Sequence, residues 1–262
     1  ELHQTVDFNA PHLPAQTASS ESLTQEGIKL EAVGFHYPGQ GRAVLDKLNL
    51  HLKTGEVIAV VGSSGAGKST LLRLLAGHVA PTQGQLAFGG RLIDNDVQRR
   101  WLCSQVSYKP QDPCYLGGTM ADVIAPGENS AEDAALTQAM RRAGMGAALD
   151  RNELGLNTEV GTNGQGLSGG QRQMLALARV FHAQQQLVLL DEPTLGLDRT
   201  AQDQILNELR PLAQEGRCVI VATHATEVIQ LADRVLVLDR GAIVADAPPS
   251  RLLGTPPKGA QA

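Results

Sequence analysis

The fold of this chain is decided by the stretch Gly62-Ser63-Ser64-Gly65-Ala66-Gly67-Lys68-Ser69, which matches GxxxxGK[ST]. The apolar run Val57–Val61 before it indicates a buried strand, and residues 70–75 after it indicate a helix. A strand, a glycine-rich loop and a helix in this order predict a phosphate-binding loop in an α/β domain with a parallel sheet. The alternative is a plain glycine-rich turn, and the two flanking elements argue against it.

Each residue type in this loop has a physical reason to bind phosphate. Glycines let the backbone curl, so that its N–H groups and the helix N-terminus face the anion. Lys68 neutralises the β- and γ-phosphates, and the Ser69 hydroxyl can ligate Mg²⁺. The loop alone leaves kinases, GTPases and many ATPases open. The residues expected to contact nucleotide here are Gly62, Ser63, Ser64, Gly65, Ala66, Gly67, Lys68, Ser69 and Thr70.

Composition indicates a globular protein that works in a reducing compartment. The chain has 262 residues, 42% of them hydrophobic, and its net charge of −5 gives no basic footprint, so nucleic acid is not the expected partner. Cys103, Cys114 and Cys218 are odd in number and lack CxxC spacing, which argues against a disulfide framework or a zinc site. The apolar runs are far shorter than the roughly 20 residues that a membrane span needs.

The pattern along the chain divides it into an ordered domain and two tails. Residues 1–27 are polar and aperiodic, and we interpret them as a linker left by cutting a longer protein; residues 254–262 are expected to be disordered. The ordered domain is predicted at 28–253. Its alternation from Ile28 to Leu52 predicts a small antiparallel sheet, and residues 131–149 predict an inserted helical subdomain at about 112–172.

Two acids follow a second apolar run, at residues 187–190. Open α/β sheets place their ligands at the carboxyl ends of strands, so Asp191 and Glu192 are expected beside the phosphate loop. Asp191 would hold Mg²⁺ through water, and Glu192 would polarise the water that attacks the γ-phosphate. The alternative is a solvated acidic turn before Pro193. Further apolar runs at 219–222 and 235–238 predict more strands of the same sheet.

The segment Leu167-Ser168-Gly169-Gly170-Gln171 narrows the choice of family. With the Arg172-Gln173-Met174-Leu175 that follows, it resembles the signature of ATP-binding cassette (ABC) domains, and the resemblance extends from about residue 28 to residue 253. It implies a P-loop NTPase (RecA-like) core with a parallel sheet, an antiparallel β subdomain and an inserted α-helical subdomain. Physically, Ser-Gly-Gly at a helix N-terminus is a second anion site. Taken alone, the segment is also compatible with a simple helix cap.

The resemblance assigns roles by matching motif. In this family the signature faces the γ-phosphate held by a second domain, which implies an ATP-driven dimer, here a homodimer, with a heterodimer left open. Tyr37 would stack on adenine, or else be a hairpin core residue. Gln111 would sense Mg²⁺ and the membrane partner. The segment Leu197-Asp198 would make contacts across the dimer interface. The implied catalytic residues are Glu192, His224 and Lys68. The implied metal residues are Ser69, Gln111 and Asp191, and the signature residues expected to contact ATP are Ser168, Gly169, Gly170 and Gln171.

Two further segments resemble those of exporters. They are residues 158–164 and residues 116–124, although Thr162-Asn163 and Asp122-Val123 depart from the usual residues. The resemblance is to cassettes of bacterial peptide and protein secretion exporters. It implies a transmembrane domain in the same or a partner chain, and a location at the cytoplasmic face of the inner membrane. The alternatives are a soluble cassette ATPase acting on nucleic acid or ribosomes, and a regulatory module with little turnover.

Overall fold

Strands of the computed structural model form a mainly parallel six-stranded sheet, an antiparallel four-stranded sheet and a two-stranded ladder. The structure describes residues 26–39, 41–128 and 131–252, so residues 1–25 of the predicted linker and the whole predicted tail at 254–262 lie outside it. The strands are β1 (Ile28–Phe35), β2 (Leu45–Leu52), β3 (Val57–Val61), β4 (Gln83–Phe88), β5 (Arg91–Leu92), β6 (Val106–Lys109), β7 (Gly118–Thr119), β8 (Glu159–Val160), β9 (Leu187–Asp191), β10 (Cys218–Ala222), β11 (Arg234–Asp239) and β12 (Ala242–Ala247).

The larger sheet has the strand order β12-β11-β3-β10-β9-β6. Every neighbouring pair is parallel except β11 with β12. In β3, Val57 and Ala59 face one hydrophobic cluster while Ile58 and Val60 face the other. Side chains alternate along a strand, so a strand covered on both faces is apolar throughout. The predicted parallel sheet is confirmed.

The smaller sheet, ordered β2-β1-β4-β5, is antiparallel as the alternation from Ile28 predicts. The sequence did not reveal β4, because its first half is polar and exposed. Gly84 lies in that half with φ 74, and a Cβ there would come within 2.3 Å of the Ala32 carbonyl oxygen. Glycine at this position therefore permits close approach of β4 to β1.

Helices cover the parallel sheet and build a separate layer beside it. They are α1 (Lys68–Leu75), α2 (Asp96–Ser104), α3 (Met120–Ile124), α4 (Asp133–Met140), α5 (Gly146–Asp150), α6 (Gly169–His182), α7 (Arg199–Gln214), α8 (Thr226–Leu231) and α9 (Pro249–Leu252). α6 packs against α3, α4 and β6. No helix among these is long and apolar enough to cross a bilayer, within the residues that the structure describes.

The predicted helical stretch at 131–149 is present but interrupted. α4 continues into a π-helical turn, Arg141–Met145, in which Gly144 adopts φ 91, before α5 begins. A left-handed residue cannot continue a right-handed helix, so Gly144 divides the stretch. The predicted end of the helical subdomain near residue 172 falls inside α6, which runs on to His182. The boundary at 112–172 therefore stays a prediction.

Candidate functional site

The predicted chemistry collects at the carboxyl ends of the parallel strands, in a cavity of about 410 Å³. Open parallel sheets bind ligands at this edge, because loops from several strands converge there. The phosphate loop follows β3, Glu192 follows β9, and His224 follows β10. The residues lining the cavity are Val44, Ser64, Gly65, Gly67, Lys68, Ser69, Thr70, Gln111, Asp191, Glu192, Leu195 and His224.

The phosphate loop has the backbone that the sequence requires. Gly62 and Gly67 adopt φ 158 and φ 108. A Cβ on Gly62 would lie 2.1 Å from the Leu238 carbonyl oxygen, and one on Gly67 would lie 2.9 Å from that of Val44, so neither position admits a side chain. Gly67 precedes α1 and provides no side-chain cap. The first N–H groups of α1 are therefore left for an anion, as helix N-termini in such loops are.

Lys68 and His224 lie in contact inside this cavity. Lys68 Nζ donates to the carbonyl oxygens of Gly62 at 2.7 Å and Ser63 at 3.2 Å, and it lies 3.1 Å from His224 Nε2. An ammonium group only donates, so a hydrogen bond between the two uses Nε2 as the acceptor. The His224 ring is more than half exposed and lies beside Glu192, with Nε2 3.7 Å from Oε1. The three predicted catalytic side chains thus form one group.

Glu192 is held in an unusual conformation. Its φ of 45 lies in the left-handed region, which is strained for a residue with a side chain. Its N–H donates to the Ala222 carbonyl oxygen at 2.9 Å, and the Thr223 hydroxyl donates to its Oε2 at 3.2 Å. The carboxylate therefore points across from β9 towards the end of β10, where His224 lies.

The three predicted metal residues offer a donor set that suits Mg²⁺. Ser69, Gln111 and Asp191 all line the cavity, and they present a hydroxyl, an amide and a carboxylate oxygen. Asp191 is only 2% exposed, so its charge lies at the base of the site. The described residues contain no group of three or more His, Cys, Asp or Glu that could hold a metal. A Mg²⁺ ion here would thus rely on few protein ligands, as it does when phosphates and waters complete its shell.

Tyr37 lies at the edge of the antiparallel sheet, next to α1. Its hydroxyl is 3.2 Å from Thr70 Oγ1 and accepts from Arg73 at 3.4 Å. Its ring meets Phe35 edge-on, with centroids 4.9 Å apart, and remains partly exposed. These contacts anchor the ring near the phosphate loop and also fit a hairpin core role. Adenine stacking on Tyr37 stays a prediction.

The signature segment begins α6 in the helical layer, and its residues are not among those lining the described cavity. Ser168 and Gln171 form a capping box: Ser168 Oγ accepts from the Gln171 N–H at 3.2 Å, and the Gln171 side chain accepts from the Ser168 N–H at 2.8 Å. The cap fixes the turn, and the N–H groups of Gly169 and Gly170, in the first turn of the helix, have no partner within α6. The signature segment can therefore cap the helix and bind an anion at the same time.

The remaining predicted positions have local partners. Asp198 caps α7 by accepting from the Ala201 N–H, and Leu197 is buried in the core beside it. This geometry holds the turn in place, and its role across a dimer interface stays a prediction. Cys103 and Cys114 are exposed and Cys218 is buried; all three are free thiols.

Sequence reasoning missed Lys109 and Thr223. Lys109 is fully buried, and its Nζ donates to the carbonyl oxygens of Asp191 at 2.9 Å and Glu192 at 3.2 Å. Burial lowers the pKa of Lys109 to about 8, and the nearby carboxylates of Asp191 and Glu192 oppose that shift. A lysine at the end of a short strand was the available signal. Thr223 gave none, because a single threonine beside a histidine has no pattern.

The two exporter-like segments are neighbours in space. β7 pairs with β8 in an antiparallel ladder, and the Asn163 N–H donates to the Tyr115 carbonyl oxygen at 2.8 Å. Asp122, one of the departures, completes a capping box with Thr119 at the start of α3. The adjoining Leu116 side chain is 86% exposed. The two segments thus form one surface, with an apolar side chain directed to solvent.

Comparison with known proteins identifies similar chains. The family model described as ABC transporter matches residues 45–195. The ATP-dependent lipid A-core flippase of Ralstonia nicotianae is 37% identical over 220 residues, which is 83% of this chain and 37% of the flippase. The alpha-hemolysin translocation ATP-binding protein of Proteus vulgaris is 33% identical over 229 residues, 87% of this chain and 32% of that protein.

A solved structure of a bacterial Atm1-family ABC exporter with ATP bound is also similar. Its TM-score is 0.79 at 33% identity, and the match covers 86% of this chain and 39% of the exporter chain. The lactococcin-A transport/processing ATP-binding protein of Lactococcus lactis is 33% identical over 85% of this chain and 31% of its own length. This chain spans less than two fifths of each of these relatives.

Proposed function

The chain belongs to the ABC transporter family, and from that premise we propose that it is an ATP-hydrolysing domain that drives export across a membrane. One observation carries the proposal. Lys68, Glu192 and His224 meet in a single cavity with the oxygen donors of Ser69 and Asp191. A site in which a cation such as Lys68 neutralises phosphate charge and an acid such as Glu192 orients a water molecule is suited to phosphoryl transfer.

The proposed mechanism follows from these contacts. A γ-phosphate would replace a carbonyl partner of Lys68, whose ammonium group neutralises the charge that develops during transfer. Glu192 would accept a hydrogen bond from the attacking water and hold it in line with the bond to the ADP leaving group. His224 would contact the γ-phosphate from the opposite side. Mg²⁺, bound by Ser69, Gln111 and Asp191, would supply further charge neutralisation.

The proposed working unit is a pair of identical chains. Gly169 and Gly170 begin α6 and do not line the cavity of their own chain, so an anion bound at this helix N-terminus would come from a second chain. ATP would then be enclosed between the phosphate loop of one chain and the signature of the other. The Gly196 backbone lies next to Gly170, so residues 197–198 would follow the signature into the same interface.

The proposed membrane partner would contact the β7-β8 surface. Leu116 is exposed there, and Gln111, which lines the cavity, accepts through its carbonyl oxygen from Gln173 Nε2 of α6 at 3.0 Å. We propose a transmembrane domain, in the same or another polypeptide, at the cytoplasmic face of the membrane. The flippase, lactococcin-A transport and alpha-hemolysin translocation functions named for the relatives support this partner class.

The first test is the metal dependence of turnover. We expect the purified chain to release phosphate from ATP in Mg²⁺, and to lose about 100-fold or more of this rate in a chelator, because charge neutralisation at the γ-phosphate is lost. Excess Mg²⁺ added to the chelated sample should restore the rate. Phosphate release that is absent in Mg²⁺, or unchanged by chelation, would contradict the proposal.

A further inference from the structure

Lys109 occupies a position where a lysine is costly. It ends β6, is fully buried, and packs beside the end of β9. A buried ammonium group loses its hydration, so it is tolerated only where partners replace the lost water. Its partners here are the carbonyl oxygens of Asp191 and Glu192, at 2.9 Å and 3.2 Å from Nζ.

These two carbonyl oxygens belong to the peptide groups on either side of the Glu192 Cα atom. The orientations of those two planes are what define the φ and ψ angles of a residue. Lys109 thus bonds to both planes that set the backbone of Glu192. The left-handed φ of 45 at Glu192 needs such support, because strained conformations persist only where the surroundings hold them.

We propose that Lys109 is a positioning residue for hydrolysis, which fixes the backbone of Glu192 and so directs its carboxylate at the attacking water. The inference rests on the proposed function, since it assigns Lys109 to the same reaction. Pro110 alone separates Lys109 from Gln111, so movement of the Gln111 segment would reach Glu192 through this contact. A movement of the Gln111 segment, caused by the membrane partner, would then change the position of the Glu192 carboxylate.

A purely architectural role does not account for this lysine. The backbone ladder already joins β6 to β9, with Lys109 opposite Leu190, and does not need the side chain. An apolar side chain would fill the same space without the cost of desolvating a charge. What the lysine adds is N–H donors at two specific carbonyl oxygens, and a neutral amine would still provide them.

The test compares Lys109→Met with Ser107→Ala. Methionine keeps the length of the stem and removes the donors. We expect its kcat for ATP to fall at least about 10-fold while KM changes less than about 2-fold. KM is expected to hold because nucleotide binding does not depend on the direction in which the Glu192 carboxylate points. Ser107 is also buried on β6, and its hydroxyl donates to Gln185 at 2.7 Å, away from Glu192. Ser107→Ala should leave kcat near that of the unaltered chain.

Two results would overturn the inference: a kcat for Lys109→Met within about 2-fold of the unaltered chain, or an equal fall in both variants. If Lys109→Met does not fold, Lys109→Leu, which also removes the donors, is judged by the same comparison. The crystal structure of the variant gives a readout that does not need turnover. We expect the backbone of Glu192 to leave the left-handed region in the variant. If Glu192 keeps its present backbone, the proposed role of Lys109 is refuted, whether or not the chain hydrolyses ATP.

Discussion

Replacement of Glu192 by Gln is expected to stop ATP hydrolysis and to leave ATP-driven pairing of two chains intact. Glutamine has the shape of glutamate, and its amide oxygen can still accept from the Thr223 hydroxyl. The contacts of Lys109 with the backbone carbonyl oxygens are also unaffected. The amide lacks the negative charge that orients and polarises water, so we expect a loss in kcat of about 100- to 1,000-fold.

The measurement combines phosphate release with light scattering in ATP. Glu192→Gln should accumulate as a pair of chains, because the ATP between them is no longer consumed. Glu227→Gln is a suitable control, since Glu227 is an exposed acid paired with Arg199 outside the cavity. Its turnover should match that of the unaltered chain. Undiminished turnover in Glu192→Gln would remove Glu192 from the catalytic group.

Replacement of Gly169 by Asp is expected to prevent hydrolysis of the ATP that is held by the phosphate loop of a second chain. An added Cβ meets no atom closer than the Arg172 guanidinium at 4.0 Å, so the fold should accept the side chain. An acid in the first turn of α6 also suits the helix dipole. The same charge would oppose the γ-phosphate of a second chain, and we expect a loss of turnover of about 100-fold.

The decisive comparison for this position is Gly169→Asn, which has nearly the same size without the charge. Each variant alone should bind ATP like the unaltered chain, measured by titration with a fluorescent ATP analogue, because the phosphate loop is untouched. Light scattering in ATP should show pairing for Gly169→Asn and little for Gly169→Asp. Equal losses of turnover in the two variants would indicate crowding rather than repulsion of phosphate.

Much of this site was predictable because its motifs are local. The phosphate loop needs a strand, glycines and a helix in sequence, and Gly62 and Gly67 adopt the positive φ that this requires. The apolar run at 187–190 also predicted a strand that leads to Asp191, and β9 confirms that strand. In such cases the residues that determine the local structure all lie in one short segment, so the sequence is enough to predict it.

The features that the sequence did not reveal depend on distant contacts. Lys109 acquires its partners only when β6 lies beside β9, across 82 positions of sequence. β4 is polar where it begins, and its pairing with β1 rather than its own pattern makes it a strand. Gly144 breaks a helix whose composition suggested continuity, and its left-handed backbone was not readable from the neighbouring residues.

The central claim is that each ATP is hydrolysed between two chains, and mixing the two inactive variants tests it most directly. In a mixed pair, the phosphate loop and Glu192 of the Gly169→Asp chain would face the intact signature of the Glu192→Gln chain. Equal amounts should therefore recover up to about a quarter of the unaltered specific rate, since half of the pairs are mixed and each has one complete site. A rate no greater than the sum of the two separate rates would contradict the shared site.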